Sequence, residues 1–242
     1  MSICRIDCFL PCRSIDSVSA MVAALERSVA VGNVYLLMAE PPTDSAAADR
    51  YNILQANGIA SSDTLRLIAS KARAPYVLLS TKAQPVRMGY KALERMVKVA
   101  DETSAALLYS DRMTESEGVV SKHPTIDYQL GAVCDDFDFG QMLLLRTALL
   151  KQYVASAAST AYSFAAIYDL RLFLSRQGRV VHLNECLYTE QEMDNRKSGE
   201  KQFDYVNPRN RDVQIEMEQA ATAHIAAIGA SVNTMTYGRI DF

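Results

Sequence analysis

The chemically most suggestive stretch of the chain is acidic. Cys134-Asp135-Asp136-Phe137-Asp138-Phe139-Gly140 contains an Asp-x-Asp pair, Asp136 and Asp138, and carboxylates so spaced can offer hard oxygen ligands to a divalent cation. The same composition suits a solvated loop, so both readings stand at this stage. Other site chemistries are missing by spacing. There is no Gly-x-Gly-x-x-Gly and no Walker loop, so neither dinucleotide nor P-loop binding is supported. No Gly-x-Ser-x-Gly nucleophile elbow occurs. His123, His182 and His224 have no carboxylate or thiol at ligand spacing; His182 falls in a strand and reads as a satisfied, half-buried residue. Five cysteines, with Cys4, Cys8 and Cys12 four apart, contain no Cys-x-x-Cys pair. They read as reduced core or loop thiols of a cytoplasmic protein.

The elements that must position such groups alternate along the first half. A strand from Ile3 to Leu10 stops at Pro11, and Ser14 can cap a helix carrying Val18, Met21 or Val22, Leu25 and Val29 on one stripe, with Asp16 in its first turn. Asn33 to Ala39 is a continuous apolar run, as a strand buried on both faces requires. It ends in Glu40-Pro41-Pro42-Thr43-Asp44, and a short run follows at Tyr51 to Leu54. Ser61 or Ser62 with Asp63 opens a helix striped by Leu65, Ile68, Ala69 and Ala72; Tyr76 to Leu79 is the next strand, breaking into Ser80-Thr81-Lys82. A third helix carries Leu93, Met96, Val97 and Ala100, with Glu94 and Lys98 paired at i, i+4. The strand Ala105 to Tyr109 ends at Ser110-Asp111. This alternation predicts an α/β fold, three layers α/β/α around a mostly parallel central sheet.

The second half is less regular. Glu117-Gly118 reads as a turn between short strands, and Gln141 to Leu145 as a strand. Helices are expected near 146–155 and 160–177, the second apolar nearly all round through Phe164, Ile167, Tyr168, Leu170, Leu172 and Leu174. Arg179 to Leu183 returns as a strand, Asn195 to Pro208 is a polar loop, and Gln214 to Ile228 forms a terminal helix with Ile215, Ala221 or Thr222, and Ile225 along one side. Ligands of open α/β sheets bind outside the carboxyl ends of the strands. Those ends are Pro11-Cys12-Arg13, Glu40 to Asp44, Ser80-Thr81-Lys82 and Ser110-Asp111.

Composition narrows the partners. The 242 residues are 49% apolar and 22% charged, with 25 basic against 28 acidic side chains for a formal charge of −3. This is globular composition without an electrostatic footprint for nucleic acid. The longest strictly apolar stretch, Val34 to Ala39, is far short of the ~20 residues of a spanning helix. Arg5 and Asp7 interrupt the start before a signal-peptide core could form.

The order of pieces resembles a known family. A strand ending in Pro11, a strand ending in Glu40-Pro41-Pro42-Thr43-Asp44, and a helix before Ala72-Arg73-Ala74-Pro75-Tyr76-Val77-Leu78-Leu79 look like a family 2 glycosyltransferase of the GT-A fold. Ala106 to Asp111, Met142 to Leu149, Tyr168 to Leu172, Gly178 to Leu183 and Leu187-Tyr188 continue the match over nearly all of 3–190. It looks closest to the first domain of bacterial proteins carrying two such domains in tandem, an impression to which Arg196 to Tyr205 contributes. The resemblance implies transfer of a sugar from a nucleotide-sugar donor to a hydroxyl of a glycan acceptor, in glycan or polysaccharide synthesis.

The resemblance also assigns stations. Pro11, Glu40, Lys82 and Asp111 fall on the donor side, Asp136 and Asp138 on the acceptor side. Where active members place Asp-x-Asp to hold Mg²⁺ or Mn²⁺, this chain has Ser80-Thr81-Lys82, so no metal and no other cofactor is expected, and Lys82 is either a point charge on phosphate or a solvated loop lysine. Where active members carry Glu-Asp, this chain has Ala166-Ile167, leaving Asp169 as the nearby base or as a structural carboxylate. Glu40 stands at the nucleobase-contacting turn and can accept from an N–H; Asp111 either lines the cleft or caps the following turn. Two functions follow: a transferase with Asp169 as base, or a catalytically degenerate module that binds glycan or nucleotide or scaffolds an active partner domain. The expected division is a GT-A-like domain at 1–190 and, at 191–242, a loop and helix packing on it, with a second glycosyltransferase domain a possible downstream partner.

Overall fold

The structure, a computed structural model, describes residues 4–42, 49–129, 131–157, 160–191 and 211–231. A seven-stranded sheet forms the middle layer, built from β1 (Ile6–Pro11), β2 (Val31–Met38), β3 (Asn52–Gln55), β4 (Tyr76–Ser80), β6 (Leu107–Ser110), β9 (Met142–Arg146) and β10 (Val180–Leu183) in the order β10-β6-β9-β4-β1-β2-β3. All its neighbours pair in parallel except β9, which is antiparallel to both β4 and β6. The three-layer α/β/α architecture and the mostly parallel sheet are as the sequence predicts.

Alternation along the strands sorts the core into two faces. Cys8 and Leu10 of β1, Tyr76 and Leu78 of β4, and Met142 and Leu144 of β9 pack beneath α1 (Ile15–Glu26) and α3 (Ala92–Thr103). Phe9, Val77, Leu79, Leu143 and Leu145 face the other way, under α2 (Ser62–Lys71), α4 (Thr147–Ser156) and α5 (Ala166–Gln177). Each face is apolar because both are covered, which is why these strands read as unbroken hydrophobic runs. Asp7 is buried at the amino end of β1, where its carboxylate accepts from the Arg73 and Ala74 backbone N–H groups and from Asn33 Nδ2. A buried carboxylate is tolerated with such donors.

A second, four-stranded sheet lies in the order β5-β11-β7-β8, from β5 (Val86–Met88), β7 (Arg112–Ser116), β8 (Val119–His123) and β11 (Tyr188–Gln191). Glu117 and Gly118 join β7 to β8 with positive φ at both positions, the two-residue turn whose twist matches an antiparallel hairpin. The turn expected there is thus present.

Several local expectations need correction. Ser14 stands at the N-cap of α1 but its side chain bonds no helix N–H, and the helix ends at Glu26, leaving Val29 exposed. Glu94 accepts from Ser28 Oγ while Lys98 pairs with Glu102, because the loop before β2 comes within reach of Glu94. The helix expected from 160 begins at Ala166; the preceding residues bond elsewhere, and Phe164 is half exposed. The terminal helix, α6 (Arg211–Ala227), buries Ala220 and His224 against α5 rather than Ile215. Polar His224 could not be chosen from periodicity: it is accommodated because Arg176 Nη1 donates to its Nδ1. Glu216 of α6 accepts from the backbone N–H groups of Ser163, Phe164 and Ala165, satisfying the amino end of α5. The loop at Asn195–Pro208, the stretch Arg196–Tyr205, the strand start at Ile3 and Asp44 lie outside the described residues. Among the described residues no helix is long and apolar enough to cross a membrane.

Candidate functional site

The carboxyl ends of β1, β2, β4 and β6 open on the same side, and β4 is the middle strand of the seven. Because β9 runs antiparallel to β4 with Met142 opposite Ser80, the residue before β9 is delivered to the end of β4. That residue is Gln141, completely buried. Its Nε2 donates to Ser80 Oγ at 2.9 Å, the Lys82 carbonyl at 3.3 Å and the Gln84 carbonyl at 2.5 Å. Its own carbonyl accepts from the Thr81 N–H at 2.9 Å, and its N–H donates to the Tyr188 hydroxyl oxygen at 2.8 Å. Gly140 precedes it at φ +70°, where a Cβ would fall 2.2 Å from that same oxygen, so only glycine fits. The Ser80–Gln84 turn is therefore a held loop.

Lys82 rises from this loop with its side chain half exposed and Nζ 3.7 Å from Glu190 Oε2 of β11. Glu190 is buried and its Oε1 accepts from Arg112 Nε. Arg112, also buried, donates from Nη2 to Asp138 Oδ2 at 3.0 Å. Asp138 accepts in addition from the Gly140 N–H, with His123 Nε2 3.2 Å away. Burial raises the Asp138 pKa, but the Gly140 N–H, Arg112 and His123 outweigh it and hold the group below the ordinary carboxylate range. For Arg112, burial works against the charge, and Glu190 and Asp138 more than restore it.

Asp111, one residue past β6, is buried beside a second network. Its Oδ1 accepts from the Thr125 N–H at 2.8 Å and hydroxyl at 3.1 Å, and lies 2.8 Å from His182 Nε2. His182 Nδ1 is 2.8 Å from Asp127 Oδ1, and its ring stacks on Tyr109. The histidine is satisfied as expected, but it is flanked in space by two carboxylates. Burial raises the Asp111 pKa, and the Thr125 and His182 contacts together bring it below its ordinary value.

The other expected residues lie on several elements. Pro11 is the last residue of β1, paired with Leu37 of β2, and Glu40 is exposed two residues past β2. The letters Asp136-Phe137-Asp138 do not act together: Asp138 is bonded to Arg112, Asp136 is exposed and accepts from the Cys134 thiol, and Phe137 packs on Phe139. Cys134, Asp135 and Asp136 bring ligand atoms within 4.8 Å of one another, all exposed. Asp169, in the first turn of α5, accepts from the Tyr153 hydroxyl of α4 at 2.9 Å. Burial pushes its pKa up, partly offset by Tyr153 and Arg176.

The divalent cation implied by the resemblance does not fit the end of β4. Ser80 Oγ donates to the Lys82 carbonyl, Thr81 Oγ1 bonds the Gln141 carbonyl, and Lys82 contributes an ammonium. The paired carboxylate, Glu190, is already held by Arg112. Hard cations take several oxygen ligands, and this arrangement presents a cation instead.

Arg112, Gln141, Glu190, Thr125 and Asp127 were not singled out from the sequence. Arg112 adjoins the strand end Ser110-Asp111 and Gln141 opens the strand, so both carried a weak positional signal. Glu190 lies in β11, and nothing in the spacing links it to Lys82.

No protein-family model and no curated protein matches the chain. Among solved structures, TarS of S. aureus, residues 1–349, superposes with TM-score 0.56 at 12% identity, covering 96% of this chain and 67% of that one. A longer TarS structure gives TM-score 0.61 at 11% identity, over 96% of this chain but 41% of its own length. Mannosyl-3-phosphoglycerate synthase from Rubrobacter xylanophilus gives 0.50 at 11% identity, with 97% and 78% covered. Identities this low speak for architecture alone. With its sheet order and helix layers, the chain has the GT-A fold.

Proposed function

We propose that the chain is a GT-A module of glycan or polysaccharide synthesis that binds a nucleotide-sugar at the carboxyl ends of β1, β2 and β4, with Lys82 in place of a divalent cation facing the diphosphate. The supporting observation is the ion pair at the end of β4, Lys82 with Glu190 at 3.7 Å, half exposed on a loop stapled by Gln141. At 3.7 Å the half-exposed lysine is beyond hydrogen-bond reach of Glu190, so Lys82 can turn to a phosphate while Arg112 keeps Glu190 paired. Glu40 accepts from a nucleobase N–H, and Pro11 forms the wall between them. Asp111 acts from behind, fixing Thr125 and His182 beside the strand ends.

The module reads as one that binds without metal-dependent turnover and accompanies an active domain. Asp111, Asp138 and Glu190, the buried or half-buried carboxylates nearest the strand ends, are each engaged by cations or N–H groups of the chain itself. Titration of UDP, GDP and their sugar nucleotides by calorimetry, with and without Mn²⁺, tests this. Binding that is the same in both conditions is expected. Affinity that requires Mn²⁺ overturns the role of Lys82, and failure of every nucleotide to bind overturns the donor site.

One observation favours a second reading, sugar transfer with Asp169 as general base. Its raised pKa brings the carboxylate closer to the operating pH, as a base requires.

A further inference from the structure

We infer that Arg171 is the anchor of a pocket for an anionic group, a carboxylate or a phosphate, on the side of the domain assigned to the acceptor. Arg171 lies in α5 and is 5% exposed. Its Nε and Nη2 are buried and, among the described residues, have no hydrogen-bond partner. The guanidinium is instead walled by rings: its Cζ is 4.6 Å from the Tyr168 centroid and 5.4 Å from that of Phe139. Burial lowers its pKa, and although the neighbouring Tyr168, Tyr128, Cys134 and Asp135 pull the other way, the net shift is downward. The surroundings therefore disfavour the charge they enclose.

A buried cation without a counter-charge is among the more destabilising features a fold can keep, and such conflicts concentrate where a ligand completes the site. The planar guanidinium fork, with Nε and Nη2 on one edge, matches the two oxygens of a carboxylate or phosphate. Its cover is short. The Tyr168 hydroxyl donates to the Val133 carbonyl, and Phe137 packs on Phe139 at 4.5 Å and on Tyr128 at 5.6 Å. Cys134 and Asp136 beside them are exposed. The segment belongs to no strand, lying between β8 and β9. Asp135 acts on Arg171 electrostatically yet forms no ion pair with it, so none of the described residues supplies the missing anion. Identifying the anion as the acceptor rests on the nucleotide-sugar reading above; the anion site itself does not.

The test uses the full chain and four probes: inorganic phosphate and galacturonate as anions, glycerol and galactose as neutral controls. Thermal unfolding and calorimetry at low salt are read for wild type, Arg171→Met and Arg171→Lys. Both or either anion is expected to raise the wild-type Tm saturably, with no effect of the neutral probes, and phosphate against galacturonate tells which anion is favoured. Arg171→Met is expected to lose that response while unfolding at or above the wild-type temperature, because an apolar side chain replaces an uncompensated charge. Arg171→Lys keeps the charge without the fork and should bind at least tenfold more weakly. UDP binding should be unchanged in both variants. An Arg171→Met protein that unfolds well below wild type or fails to fold, retention of the anion response in that variant, or no response in wild type overturns the inference. Loss of UDP binding in the variants assigns Arg171 to the donor and overturns it as well. If wild type answers the anions but not UDP, the anion pocket stands and the donor reading alone fails.

Discussion

Lys82 Nζ lies 3.7 Å from Glu190 Oε2, a distance at which the two charges attract without an optimal hydrogen bond. The lysine is held by its backbone, through Gln141, rather than by its side chain. Lys82→Ala is therefore expected to leave the fold intact and to weaken UDP binding about tenfold, equivalent to about 1.4 kcal/mol. Calorimetry at two ionic strengths checks it, since wild-type affinity should fall with salt more steeply than that of the variant.

Glu190 has a different weight, because it also closes the buried pair with Arg112. Glu190→Gln leaves a buried guanidinium with Asp138 as its remaining carboxylate. Removing one partner of a buried pair costs roughly 3–5 kcal/mol. Urea unfolding of the variant should show a loss in that range, and a loss below about 1 kcal/mol would mean that the pair is solvated.

Asp111 ties stability to pH. Its pKa is lower in the folded chain than in the unfolded one, so the unfolded state binds the proton more readily. The stability it contributes is present above the ordinary carboxylate pKa of about 3.9 and is lost as pH falls through the lower folded value. Asp111→Asn should flatten the acid side of the stability curve below about pH 4. Urea unfolding at half-unit pH steps measures this; parallel curves for variant and wild type would remove Asp111 from the acid response.

Glu216 fastens α6 to the amino end of α5 through three backbone N–H groups. Glu216→Ala leaves those donors to water and removes a negative charge from a helix amino terminus. A loss of about 1–2 kcal/mol is expected, with hydrogen exchange accelerating first at Ser163 to Ala165. Unchanged exchange there would show that the contact does not restrain the helix.

Asp169 decides between the two functional readings. If sugar transfer is detected, Asp169→Asn should lower kcat by roughly 10²–10⁴-fold. Its pKa is raised, so the acid limb of the kcat profile should lie above the ordinary aspartate range. A variant with unchanged kcat assigns Asp169 to structure, where it receives the Tyr153 hydroxyl.

What the sequence determined by itself was the layer plan. Runs such as Tyr76–Leu79 and the stripe Leu65, Ile68, Ala69 and Ala72 state their burial in their own residues, because a strand covered on both faces and a helix covered on one leave periodic signatures. The order of those runs was enough to place Pro11, Glu40 and Lys82 at strand ends. Tertiary structure alone decided what each charged group meets there. Glu190 reaches Lys82 and Arg112 from β11 in the second sheet, Asp127 and Asp111 enclose His182 from two segments, and Asp136 and Asp138 part company despite their adjacency. Such pairings carry no period, since an ion pair depends on distance in space and not on separation along the chain. The docking face of α6 was hidden for a related reason: buried His224 is polar, and its contacts with Arg176 and the Leu172 backbone are what permit its burial.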